Sequence, residues 1–119
     1  MLSYYREEDN VFQPDVIYIA KENTGIIRDG FIYGVPDLAV EILSEGTARR
    51  DKTIKKSGYE KFGVKEYWLA DPIHKFIDQF ILMDGQYRLT ATFTEDDRLV
   101  SATVPCLAIE LSGVFKDDL

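Results

Sequence analysis

The sequence predicts a mixed α/β, or α+β, domain in which a β-sheet is flanked by a helix, and three observations carry that expectation. Short apolar runs rich in β-branched and aromatic residues recur at 16–20 (VIYIA), 38–43 (LAVEIL) and 66–70 (EYWLA). The segment 47–62 instead places Ile54, Tyr59 and Phe62 at roughly helical spacing among charged residues. Asp84-Gly85 then separates 76–83 from 87–93, the residue pair that a tight hairpin turn favours.

In chain order, VIYIA follows Pro14-Asp15 and is short enough for a buried strand. Residues 23–34 hold Gly25, Gly30 and Gly34, an irregular hairpin with Ile26, Ile27 and 31–33 as its strand material. LAVEIL reads as a central strand. For the helix, Thr47 is placed as N-cap and Gly63 stands where a C′ glycine belongs, so both ends have a mechanism. EYWLA is a strand closed by Asp71-Pro72. Along 87–93, Tyr87, Leu89, Ala91 and Phe93 alternate with Arg88, Thr90 and Thr92, which predicts one wet face. A last strand or extended segment is expected over 99–111, and the acidic tail 116–119 is expected to fray.

The 119 residues are expected to make one domain over 1–119, either a natural short form or an N-terminally truncated one, and 45% hydrophobic residues suffice for a packed core. Cys106 is the only cysteine, which excludes an internal disulfide and a cysteine-rich zinc site and fits a reducing, cytoplasmic setting. His74 is the only histidine and no Gly-x-Ser-x-Gly elbow accompanies it, so a serine triad is not expected. No apolar run approaches 18 residues, and residues 1–10 are charged where a signal peptide needs an apolar stretch. No membrane association is expected.

The formal charge of -7 argues at first against a polyanionic partner. Residues 46–65, however, hold seven basic residues against two acidic ones, a local +5 that leaves the remainder at -12. Glu41 is the other departure, because a carboxylate inside LAVEIL is costly to bury unless it is paired or binds a metal. It either lies on an exposed face, pairs with a lysine for structural reasons, or serves a site. Alternation puts Asp37 and Glu41 on one face, but four residues span roughly 13 Å of strand, too far to share an ion. Asp15 is the better second carboxylate, since a neighbouring strand can set it opposite Glu41; the alternative is a turn residue after Pro14. Two such carboxylates make a hard oxygen site for Mg²⁺ or Mn²⁺. A basic helix beside them supplies what phosphodiester hydrolysis requires, with Arg49, Arg50, Lys52 and Lys56 as candidate nucleic-acid contacts. Asp51, Lys55 and Tyr59 share one helical face; an ordinary solvated ion pair is the alternative for Asp51 and Lys55.

The ordered set Gln13-Pro14-Asp15, Val35-Pro36-Asp37-Leu38-Ala39-Val40-Glu41-Ile42-Leu43-Ser44, Thr47-Ala48-Arg49-Arg50-Asp51-Lys52-Thr53-Ile54-Lys55, Tyr59 and Gly63-Val64-Lys65-Glu66-Tyr67-Trp68-Leu69-Ala70-Asp71-Pro72 closely resembles the Uma2 family of restriction-endonuclease-like proteins, over roughly 11–115. The resemblance implies the PD-(D/E)XK fold, a mixed sheet with flanking helices. It also implies a metal-dependent DNA endonuclease using Mg²⁺ or Mn²⁺, with Asp15 and Glu41 as metal ligands. The lysine usual two residues after the glutamate is absent, since position 43 is Leu43. The family's lysine from the following helix corresponds to Lys55, with Lys52 and Lys56 as fallbacks and Asp37 and Asp51 as secondary candidates. The family usually has a longer segment before the Gln-Pro-Asp strand, with a helix that covers one sheet face. The expectation here is that a second subunit replaces it in a homodimer. Two alternatives to the enzyme stand: a catalytically inactive module that binds DNA or a protein partner, and a structural remnant without nucleic-acid affinity.

Overall fold

The computed structural model describes residues 3–5, 11–12, 16–19, 24–25, 27–28, 31–32, 34–43 and 49–115, with side chains over 16–19, 24–25, 34–43 and 54–115. Its strands are β1 (Ser3–Tyr5), β2 (Val11–Phe12), β3 (Val16–Tyr18), β4 (Ile27–Arg28), β5 (Phe31–Ile32), β6 (Leu38–Ile42), β7 (Glu66–Asp71), β8 (Phe76–Met83), β9 (Gln86–Thr94), β10 (Arg98–Val100) and β11 (Ala108–Glu110). One helix, α1 (Arg49–Phe62), lies between β6 and β7. Among the described residues no helix is long and apolar enough to cross a membrane.

The principal sheet has the order β3-β6-β7-β8-β9. Its centre is the parallel pair β6 and β7, with Val40 opposite Trp68 and Glu41 opposite Leu69. Parallel neighbours need a crossover, which α1 provides; every other pairing in this sheet is antiparallel. β6 is buried on both sides, which is why LAVEI reads as a nearly continuous apolar run. Ala39 and Tyr67 pack with Tyr59 of α1 and with Val64. Leu38, Val40, Trp68, Ala70 and Ile77 form the opposite core with Leu99, Leu111 and Phe115. A smaller sheet orders β2-β1-β5-β4, in which β4 and β5 form the expected hairpin.

The helix begins at Arg49, and the expected N-cap Thr47 lies outside the described residues. Its C-terminus follows the expectation for Gly63, which has φ +84°. The Gly63 N–H donates to the Glu60 carbonyl at 3.2 Å and the Val64 N–H to the Tyr59 carbonyl at 3.1 Å. This is the Schellman pattern, with Val64 and Tyr59 as its apolar contact. A Cβ at Gly63 would meet nothing within 4 Å, so the penalty for adding one is conformational rather than steric. Gly63→Ala is expected to lower stability by about 1–2 kcal/mol, read as a shift of the urea midpoint.

The β8–β9 turn is the Asp84-Gly85 pair, with φ 52° and 79°. Both central residues are left-handed, as a type I′ hairpin demands. The expected alternation in β9 fails part-way. Leu89 pairs with Phe80 but Ala91 pairs with Gln79, leaving Thr90 as the extra residue of a bulge. Its hydroxyl donates to the Gln79 carbonyl at 3.1 Å. One inserted residue exchanges the faces, so Tyr87 packs with the helix-side core and Phe93 with the other.

The expected single segment over 99–111 is instead two short antiparallel strands, β10 and β11, followed by a 3-10 turn at Leu111–Gly113. Leu99, Leu111 and Phe115 from this region cover the sheet face opposite α1.

Candidate active site

Glu41 lies one residue from the C-terminal end of β6, on the face turned to α1, and is only 5% exposed. A carboxylate held there needs a cationic partner. Lys55 supplies it, with Nζ 2.9 Å from Glu41 Oε1. The two ends of this pair differ in solvation: the lysine side chain is 42% exposed and the glutamate 7%. The pair is thus a buried anion capped by a half-wet cation.

Four residues along the helix, Tyr59 reaches the same oxygen, its hydroxyl donating to Oε1 at 3.5 Å. Tyr59 is 1% exposed, with its ring 5.7 Å from that of Tyr67. Because Tyr59 also supplies the carbonyl of the helix-ending motif, the end of α1 and this contact are set by one residue. The sequence placed Tyr59 on the Lys55 face, and the i, i+4 spacing was the signal for its approach to Glu41.

A family profile, Uma2, described as "Putative restriction endonuclease", matches residues 2–112. The chain belongs to the Uma2 family. In fold, this Uma2 chain is similar to a crystal structure described as a putative nuclease belonging to DUF820 from Anabaena variabilis, with TM-score 0.65 and 18% identity. That likeness covers 96% of this chain and 63% of the other, so the chain spans less than two thirds of its neighbour's length. No curated protein matches the chain. The five-stranded mixed sheet with its helix is accordingly the fold shared with that neighbour, and it is the helix-flanked mixed sheet that the motifs implied.

The other candidates of the Uma2 chain are placed as follows. Asp15 lies outside the described residues; the residue after it, Val16, pairs with Val40, the residue before Glu41. Arg49, Arg50, Asp51 and Lys52 belong to the first turn of α1, and their side chains lie outside the described set. Lys56 is placed over Phe80, with Nζ 4.0 Å from the ring centroid, and so points towards β8. Asp37 precedes β6 at the end away from Glu41, its N–H donating to the Tyr18 carbonyl at 3.1 Å. The structure therefore brings Lys55 to Glu41 and directs Lys56 elsewhere. Among the described residues no group of three or more His, Cys, Asp or Glu side chains is gathered for a metal.

A second buried carboxylate escaped the sequence reading. Glu66, 0% exposed, accepts from Trp68 Nε1 at 2.6 Å and Gln79 Nε2 at 2.9 Å on one oxygen. Ser101 Oγ at 2.7 Å and the Thr103 N–H at 2.9 Å donate to the other. Burial pushes its pKa up, but the bonds from Gln79, Ser101, Trp68 and Thr103 together hold it below the ordinary glutamate value. All four donors are neutral and come from the fold itself, which makes Glu66 an anchor for the loop after β10.

Proposed function

We propose that this Uma2 chain is a metal-dependent DNA endonuclease that hydrolyses phosphodiester bonds, with Asp15 and Glu41 holding Mg²⁺ or Mn²⁺ and Lys55 assisting. The observation that carries the reading is the Glu41–Lys55 pair: a buried carboxylate and a half-exposed ammonium 2.9 Å apart at the end of a central strand. Carboxylate oxygen is the donor such hard ions take, and the pairing of Val16 with Val40 supports Asp15 as the second ligand. When bound, the ion supplies an acidified water and neutralises charge on the phosphate.

The remaining work falls to the chain's own groups. Glu41, held by Lys55 and Tyr59, is a preorganised acceptor. The Lys55 ammonium, open to solvent on one side, is placed to hold a non-bridging phosphate oxygen or to orient the attacking water. Arg49, Arg50 and Lys52 of the first helical turn provide the backbone attraction that an acidic protein otherwise lacks, whereas Lys56 is engaged with Phe80.

Supercoiled plasmid incubated with the protein is expected to be nicked in Mg²⁺ or Mn²⁺ and untouched in chelator, with activity falling as salt rises. Salt-sensitive DNA binding without metal dependence or cutting would instead identify the inactive nuclease-fold module.

A further inference from the structure

We propose that Lys55 is the resting counter-ion of the cation position at Glu41, so that its ammonium and a divalent ion compete for one carboxylate oxygen. The inference rests on the metal-dependent reading above and adds a regulatory property to it. Three observations lead to it. Lys55 Nζ lies 2.9 Å from Glu41 Oε1, a direct charge-assisted hydrogen bond that occupies a lone-pair direction of that oxygen. Tyr59 donates to the same atom, so Oε1 is the oxygen the helix addresses. Finally, the lysine side chain is 42% exposed while the carboxylate is 7% exposed. The cation can withdraw into water and the anion cannot.

A hard divalent ion binds carboxylate oxygen at roughly 2.0–2.1 Å. An ammonium left on Oε1 would then stand a few ångströms from it, a distance at which like charges repel strongly in a partly buried site. Ion entry must therefore displace Lys55 or bear that repulsion, and in both cases the lysine weakens ion binding. Displacement has a use. The ammonium leaves Glu41 only when the ion arrives, and it remains tethered beside the site where a phosphate oxygen would lie. In the resting protein Lys55 balances the charge of Glu41, and loading the ion would release the lysine for substrate.

The test is Mn²⁺ binding by calorimetry to wild type, Lys55→Met, Lys55→Gln and Glu41→Gln. Both lysine variants are expected to bind Mn²⁺ about tenfold or more tightly than wild type while cutting DNA far less. Glu41→Gln is expected to lose the binding. Thermal midpoints give a second readout that tolerates a weakened fold: Mn²⁺ should raise the midpoint of Lys55→Met by more than that of wild type. Equal or weaker affinity in both lysine variants, with Glu41-dependent binding in wild type, overturns the competition and leaves the metal reading standing. Absence of Glu41-dependent binding in every protein overturns both.

Discussion

Glu41→Ala is expected to abolish metal-dependent plasmid nicking, a fall of about a thousandfold or more, because it removes the one described carboxylate placed at the proposed centre. The stability outcome separates this from unfolding. With Glu41 gone, Lys55 is already 42% exposed and regains water, so Glu41→Ala or Glu41→Gln should stay within about 1 kcal/mol of wild type. Removing the lysine instead takes the ammonium away from a carboxylate that is only 7% exposed. Lys55→Met should therefore cost about 1–3 kcal/mol, less than a fully buried pair because its cation is half wet. Urea unfolding beside the nicking assay reads both. Nicking by Glu41→Ala at the wild-type rate would remove Glu41 from the chemistry.

Glu66→Ala should have the largest effect on stability, about 3–5 kcal/mol, because four donors lose their acceptor at a site closed to water. That is a large part of the stability of a domain this size. Glu66→Gln keeps the shape but turns an amide N–H₂ towards donors, and should cost less than alanine. The pH dependence has a definite direction. Since the folded-state pKa of Glu66 lies below its unfolded value, its contribution is complete above the unfolded value and is lost as pH falls through the folded one. Acid unfolding of Glu66→Gln should thus be shallower than that of wild type below the ordinary glutamate range. Equal acid slopes would mean that the network does not depend on the charged form.

Local signals explain what the sequence disclosed. LAVEIL, the Gly63 helix end and the Asp84-Gly85 turn each carry their cause within a few residues, and the structure follows them. Glu41 was visible because a carboxylate inside an apolar run is anomalous, and Lys55 because the following helix repeats the family's order. Glu66 has no such mark. It opens a strand beside Lys65 and looks like a surface residue, while Ser101 and Thr103 lie 35 and 37 positions away. The bulge at Thr90 was equally hidden, because Tyr87 and Phe93 keep the same parity in sequence whether or not one residue between them is unpaired. The use of 98–115 as a cover depends on which sheet face α1 leaves open, and no local pattern in that segment announces it.

That cover also sets an order on synthesis. Leu38, Val40 and Trp68 leave the ribosome well before Leu111 and Phe115, which complete the same core. A nascent chain ending at β9 would hold its helix-side core, with Ala39, Tyr59, Val64 and Tyr67 all present, yet expose the apolar side of its sheet. A chain halted there would present that apolar face to solvent, the kind of surface that favours aggregation. The core beside Glu41 and Lys55 is therefore built from residues that are synthesised first, while the opposite core also needs Leu99, Leu111 and Phe115.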